Sequence, residues 1–374
     1  MTIQRTQGGA TKILSFGLKP SPAILGATVH HHLAKYEESD PEAVKVLQDL
    51  YVDDLPAAAA DDKKAFEMYK NTKKIMKEGG FNLRKWKSNS KELTKRINQC
   101  ERVDFPQIQT EIAAMTSNDD GKTKILGINW DTENDELFFD FSDITSYASQ
   151  LPPTNRTVLK TAAKFFDPLG FVSPVTVRLK MMFQGLCKDR ADWDEELQGE
   201  SRRQFEGLIA EMQRLSGLAV PRCYFSPITK SREIQLHGFS DASERAFAAV
   251  VYLRTTYEDG VVDVRLVASK SKVFPIKEQT IPRLELLGAN ILARLTDSVS
   301  IALKPNVDNI RRFHWTDSSA VLCWIRNEKP WKQYVSQRVR EIRNLTERES
   351  WNHCPGIMNP ADLPSRGIRV DEMR

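Results

Sequence analysis

Two groups of carboxylates in this chain have the residue types and settings needed for chemistry on phosphates. The first is the adjacent pair in Tyr51-Val52-Asp53-Asp54, approached by apolar Val44, Val46, Leu47 and Leu50 and followed by Leu55-Pro56. Neighbouring side chains on a strand point to opposite faces, but at the bend of a β-hairpin both acids can converge on one spot. Converged carboxylates suit Mg²⁺, and two ions roughly 4 Å apart would stabilise both the entering and the leaving oxygen of a phosphoryl transfer. A bare Asp-Asp reads first as a solvated acidic turn, and it is its context in the chain that favours metal binding. The second group is spread over the other half of the chain: Asp241, Glu285, Asp317 and Asp362.

The elements that must hold the second group are legible. From about residue 229, residues 234–241 read as a strand that ends in Asp241, followed by strands over 246–253 and 261–269 with Glu258-Asp259-Gly260 turning between them. Pro282 opens a helix whose Leu284, Leu287, Ile291 and Leu295 form a core stripe, with Glu285 to one side. Residues 312–317 form a further strand ending in Asp317, and the hydroxyls of Ser318 and Ser319 cap a helix over 320–325. Asn359-Pro360-Ala361-Asp362 supplies the fourth acid.

In the first half, helices are predicted over 24–36, carrying His30-His31-His32 in three different directions, and over 61–78, ending at Gly79-Gly80. The second helix shows a partial apolar stripe of Phe66, Tyr69, Thr72, Lys73 and Met76, so it should lie on a sheet with its basic face outward. Residues 107–140 read as strands and turns. A helix over 158–166 stops at Asp167-Pro168-Leu169-Gly170, and the acids near Trp193 read as capping or surface groups. Trp315, Trp324 and Trp331 recur within predicted elements and read as core.

Tyr-x-Asp-Asp resembles the catalytic turn of reverse transcriptase palms. Phe16-Gly17-Leu18 with Pro20-Ser21-Pro22 resembles their segment beneath the incoming nucleotide, and Leu126-Gly127-Ile128 with Trp130 resembles their primer-gripping hairpin. Gly79-Gly80-Phe81, Leu83-Arg84-Lys85-Trp86, Phe166-Asp167-Pro168-Leu169-Gly170-Phe171, Ile281-Pro282-Arg283-Leu284-Glu285, Arg338-Val339-Arg340-Glu341-Ile342 and Asn359-Pro360-Ala361-Asp362 are similar to one branch, the BEL/Pao retrotransposon polyproteins. The resemblance covers about residues 16–367. It implies an α+β and α/β chain: a partial reverse transcriptase palm (1–140), a thumb or connection (141–228), and a ribonuclease H-like mixed five-stranded sheet flanked by helices (229–374). It further implies Mg²⁺ or Mn²⁺ held by Asp53 and Asp54 in the palm and by Asp241, Glu285, Asp317 and Asp362 in the last domain, with an RNA–DNA hybrid as partner. Nucleic acid would meet Phe16, Gly17, Arg84, Lys85, Trp86, Leu126 and Gly127. Ribonucleases H often carry a histidine near the last acid, but His353 reads better as a strand end. Lys85 is a candidate proton donor to pyrophosphate that spacing alone does not separate from Lys77 or Arg84.

Two departures temper the polymerase expectation. Palms of the family need a third aspartate from an earlier strand, and the 15 residues before Phe16 contain no acid. The resemblance is thus to a polyprotein truncated at both ends, with nucleotide addition not expected of this chain alone. An inert nucleic-acid-binding or vestigial product is the alternative. An aspartic peptidase is not expected, because Asp-Thr-Gly and Asp-Ser-Gly are absent.

Composition agrees with ordinary globular domains: 374 residues, 40% hydrophobic and 28% charged, with net charge only +4. Polyanion binding must therefore be argued locally. Residues 63–96 hold twelve basic residues against three acidic, interleaved with Phe81 and Trp86, which leans towards phosphate contact. Five scattered cysteines without Cys-x-x-Cys spacing argue for a reducing compartment without structural zinc. With no signal-like amino terminus and no uninterrupted apolar run near 18 residues, an intracellular, non-secreted protein is expected.

Overall fold

A computed structural model describes residues 19–52, 54–104, 122–190, 192–215, 217–226, 229–275, 279–304, 307 and 309–373. Phe16, Gly17 and Asp53 lie outside these residues. The chain divides into two compact units, 1–137 and 138–374.

In the first unit, α1 (Ser21–Leu33), α2 (Pro41–Gln48) and α3 (Asp62–Glu78) bury Val29, Leu33, Ala43, Val44, Leu47, Ile75 and Met76 in one cluster. The apolar approach to Asp54 is thus a helix and not the first arm of a hairpin. An eight-residue apolar run does not distinguish the two, and Asp40 decides it by accepting from Ala43 N at the helix start. A fourth helix, α4 (Lys91–Asp104), packs Leu93 and Ile97 on Phe66 and Tyr69. Strands β1 (Lys122–Ile125) and β2 (Ile128–Asp131) form a hairpin closed by Leu126 and Gly127, both at positive φ.

The second unit begins within β3 (Glu136–Phe139). A helical layer follows: α5 (Ser142–Ser149), α6 (Asn155–Lys164), α7 (Ser173–Lys188) and α8 (Gly199–Met212), with β4 (Leu218–Pro221) after it. Its core is Val158, Val172, Val175, Leu179, Phe205 and Met212 with their neighbours.

The five-stranded sheet comes next: β5 (Ser231–Ala242), β6 (Ala246–Tyr257), β7 (Val262–Val273), β8 (Ile310–Thr316) and β9 (Trp351–His353), in the order β7-β6-β5-β8-β9. β5, β6 and β7 run as an antiparallel meander, while β8 and β9 join parallel to β5 and β8 respectively. The crossover between meander and parallel half is α9 (Ile281–Leu303), followed by α10 (Ser319–Arg326), α11 (Gln333–Leu345) and α12 (Asp362–Arg366). This is the mixed ribonuclease H-like sheet expected from the sequence.

α9 buries more of its circumference than a single stripe: Leu284, Leu286, Gly288, Ala289, Ile291, Leu292 and Ala293 are all covered, whereas Leu287 and Leu295 are only partly buried. Gly238 lets α9 approach, since a Cβ there would lie 2.5 Å from Leu292 Cδ1. Among the described residues α9 is the one helix long and apolar enough to cross a membrane, yet over half of it is buried in this core.

β8 and β9 bury His314, which stacks on Trp351 with ring centroids 5.0 Å apart and places Nδ1 2.9 Å from Ser350 Oγ. Burial pushes its pKa down to about 3, with the Arg312 charge acting in the same direction. A histidine held neutral in the folded chain but free to protonate near 6.5 when unfolded costs stability as pH falls. Unfolding free energy should therefore drop by about 2 kcal/mol between pH 8 and pH 5 from this residue. Denaturant titrations at the two pH values should show that drop in the native chain and lose it in His314→Gln.

Candidate active site

The four carboxylates of the second unit arrive at one end of the sheet. Asp241 stands at the end of β5 and is buried out of phase with the alternation that buries Ile234, Leu236, Gly238 and Ser240. Glu285 lies on the first turns of α9, which cross behind the same strand ends. Asp317 follows β8 directly, and Ser318 caps α10 by accepting from Val321 N at 3.2 Å. Asp362 opens α12, its N–H held 3.0 Å from Asn359 O. Asn359, itself buried, donates from Nδ2 to Ser240 O at 2.9 Å and so ties the last loop to the residue beside Asp241.

Electrostatics shows that these acids share one environment. Burial raises the Asp241 pKa, Ser365 opposes the rise, and the charges of Asp317 and Asp362 add to it. Asp317 is raised first by burial, then by Glu285 and Asp362, against a lowering contribution from His353. Nearby like charges disfavour ionisation and so act in the same direction as burial. Arg366 pairs with Asp362 and is raised by it first and then by Asp241 and Asp317. Two serines complete the set: Ser365 donates to Asp241 Oδ2, and Ser318 donates to Glu285 Oε2.

A divalent metal fits this donor set in its chemistry: hard oxygens, net negative charge and mutual repulsion that a dication would relieve. In geometry, no three His, Cys, Asp or Glu side chains among the described residues are gathered tightly enough to hold an ion. The hydroxyls and the guanidinium explain the difference, since each engages an oxygen that would otherwise face its neighbours. Carboxylates repel one another when no cation lies between them, and each can turn about two torsions once one does.

His353 is exposed at the end of β9, in register with Thr316 and felt electrostatically by Asp317. It is the strand end anticipated from the sequence. Trp315 differs from the core reading. It is half-buried on the sheet face away from α9, stacked beside Phe239 and His237, and donates Nε1 to His237 Nδ1 at 3.2 Å. A surface depression of about 950 Å³ between α11 and the start of β8 is lined by Arg312, Trp331, Arg340 and Arg343 and contains none of the four acids. Carboxylates at an open sheet end leave no deep cavity, so the chemistry and not the concavity locates the site.

In the first unit, Tyr51 and Asp54 exchange both backbone hydrogen bonds at 2.9 Å around Val52, which has positive φ. Tyr51 and Asp54 thus form one isolated antiparallel bridge. Asp54 Oδ2 accepts from Leu126 N at 3.2 Å, so the β1–β2 hairpin end touches the acidic turn. Lys85 also has positive φ, and Trp86 sits edge-on to Tyr69 at 4.9 Å, partly buried, with no hydrogen-bond partner for Nε1. Trp86 is accordingly a packing residue in this unit.

The basic run is less uniform than its composition suggests. Lys73 is buried and hydrogen-bonds Tyr69 Oη and the Glu101 carboxylate, which removes it from any phosphate surface. Lys87, Lys91, Lys95 and Arg102 instead line a groove of about 540 Å³ along α4. Among the histidines of α1, His32 is buried against Ile75 O at 2.7 Å, while His30 and His31 are exposed. Near Trp193, Asp194 pairs bidentately with Arg156, as a surface group.

Residues 154–318 match the family model described as the Pao retrotransposon-like RNaseH-like domain. The span takes in Asp241, Glu285 and Asp317. No curated protein matches the chain. Solved structures similar in fold include the foamy viral protease-reverse transcriptase in complex with RNA/DNA hybrid, at 14% identity and TM-score 0.47 over 94% of this chain and 40% of that one. The same viral protein in complex with dsDNA shows 13% identity and TM-score 0.45 over 92% of this chain and 60% of that one. LC11-RNase H1 in complex with RNA/DNA hybrid shows 16% identity and TM-score 0.26 over 37% of this chain and 98% of that one. The chain thus spans about half the length of the viral proteins.

Proposed function

We propose, for a chain whose residues 154–318 belong to the Pao retrotransposon-like RNaseH-like domain family, that the second unit is a metal-dependent ribonuclease H acting on RNA paired to DNA. The observation that carries this reading is that Asp241 and Asp317 directly follow the paired residues Ser240 and Thr316 at the same end of two adjacent parallel strands, with Asp362 acting on both. Asp241, Glu285, Asp317 and Asp362 would hold the divalent cations. When bound, Mg²⁺ or Mn²⁺ would activate water and steady the leaving oxygen. The chain's own residues do the remainder: Ser365 and Ser318 orient two of the acids, and Asn359 fixes the loop that presents Asp362.

The first unit supports a further reading, a palm remnant of an RNA-directed DNA polymerase. Its Asp54 turn meets the Leu126-Gly127 hairpin, and the groove of Lys87, Lys91, Lys95 and Arg102 suits a phosphate backbone. Asp53, Phe16 and Gly17 belong to that proposal on sequence alone. Other polyprotein products as partners and an intracellular location are part of the same reading.

The test is incubation of the purified chain with a hybrid labelled on each strand in turn, in Mg²⁺ or Mn²⁺. Shortening of the RNA strand with the DNA strand intact is expected. A folded chain that leaves both strands whole, or cuts both equally, would count against a ribonuclease H.

A further inference from the structure

Between β9 and α12 the chain makes a short excursion, Cys354-Pro355-Gly356-Ile357-Met358-Asn359, whose tip is apolar. Ile357 is 99% exposed and Met358 71% exposed, and Leu363, the neighbour of Asp362, is 45% exposed. Large aliphatic groups left wholly in water have a cost that folding normally avoids. Nothing in this excursion is slack. Cys354 N donates to Thr316 O at 3.0 Å, Met358 N to Pro355 O at 2.8 Å, Asn359 N to Gly356 O at 3.0 Å, and Asp362 N to Asn359 O at 3.0 Å. Buried Asn359 anchors the base through Ser240 O and accepts from Ala361 N at 3.1 Å. The backbone of the tip is therefore tied down on both sides of two exposed aliphatic side chains.

Its position is equally specific. A Cβ on Gly356 would lie 3.2 Å from Asp317 Oδ2, so the excursion rests directly on one of the four acids. A phosphodiester brought to Asp241, Asp317 and Asp362 must pass beside this tip. In that reading cations held by the acids would meet the phosphates, so an uncharged side chain on the rim is left to touch the uncharged parts of the strand, the sugar rings and base edges.

Resting on the ribonuclease H reading, we infer that Ile357 and Met358 form an apolar contact to the sugars of the hybrid next to the scissile bond, and so position the strand over the acids. Because the loop is already ordered, the contact requires little further loss of conformational freedom. These are positioning residues, acting through where they place the substrate.

The experiment compares the native chain with Ile357→Ser, Met358→Ser and the double substitution. Cleavage of a labelled RNA–DNA hybrid is followed at varied substrate, and hybrid affinity is measured by fluorescence anisotropy in an Asp241→Asn background. The expected result is a KM and an apparent Kd raised about tenfold in the double variant, with kcat within about twofold and the melting curve unchanged. Native cleavage with unchanged KM and Kd in the variants would overturn this inference and leave the nuclease reading standing. So would a change in self-association without a change in hybrid affinity, which would make the tip a protein contact. Failure of the native chain to cut or bind hybrid at all would overturn the nuclease reading and this inference with it.

Discussion

Asp241→Asn should reduce hybrid cleavage by about a thousandfold or more while leaving the chain folded. The magnitude follows from the loss of one charged oxygen ligand: roughly 4 kcal/mol of transition-state stabilisation corresponds to three decades of rate. The fold should survive for a reason specific to this site. Asp241 is buried beside two further carboxylates, and burial and those charges both raise its pKa, so the ionised form is destabilised in the metal-free chain. Asparagine keeps the shape and an oxygen for Ser365 Oγ while removing the charge. In chelator, the substituted chain should melt at the same temperature as the native one or higher, by about 2–4 °C for each kcal/mol of repulsion relieved. With both pKa values raised, the metal-free native chain gains stability from Asp241 and Asp317 as pH falls through their folded-state values, and Asp241→Asn removes the Asp241 part of that gain. Lost cleavage together with a collapsed melting transition would instead make Asp241 structural.

Gly170→Ala should destabilise the second unit by on the order of 3–5 kcal/mol. Gly170 has φ +78°, and a Cβ there would lie 1.9 Å from the Ser269 carbonyl oxygen, which is backbone and unable to swing away. The close approach is part of a dock between the helical layer and the edge of the sheet. Ser269 N donates to Leu169 O at 2.7 Å, and the hydroxyls of Ser173 and Ser269 meet at 2.7 Å. Asp167 orders the same corner by accepting from Phe171 N at 3.0 Å and Val172 N at 2.9 Å. Chemical denaturation of Gly170→Ala beside the native chain measures the effect. A change under 1 kcal/mol would show that the corner does not carry the dock.

The dock explains why Phe166-Asp167-Pro168-Leu169-Gly170-Phe171 stood out in the sequence without any chemistry to justify it. Its glycine and its acid serve an edge strand about a hundred residues away, which no local pattern discloses. The four acids were legible because each closes or opens an element that the sequence marks clearly: a strand ending in Ser240-Asp241, a Pro-opened helix, and a strand running into Thr316-Asp317-Ser318. Ser365 and Arg366 were not, since their meaning depends on Asp241, 124 residues earlier, and on the turn that α12 makes from Asp362. The paired serine and arginine contacts are also why carboxylates that share one field are not gathered as ligands.

Other misses have equally physical causes. α7 buries Val175, Thr176, Val177, Leu179, Met181 and Met182, so it lacks the polar face whose contrast reveals a helix. α4 is the opposite case, polar enough to read only as part of a basic run, and its packing becomes visible through Leu93 and Ile97. The stripe on α3 is buried down to Lys73, but it packs on α2 and α4 and not on a sheet as expected, and the partner that makes a buried lysine tolerable, Glu101, lies 28 residues on. Asp54 meets Leu126 N across 72 residues, a juxtaposition that the order of motifs suggested and only the fold displays.

The central claim is that Asp241, Glu285, Asp317 and Asp362 work as one metal-dependent site. It is tested most directly by following RNA-strand cleavage in a labelled hybrid across a Mg²⁺ and Mn²⁺ titration, with the native chain beside Asp241→Asn and Asp317→Asn. Cutting that rises with metal in the native chain and is lost in both variants, each still folded, is the predicted result. Metal-dependent cutting that persists at the native rate in either variant would place the active site elsewhere.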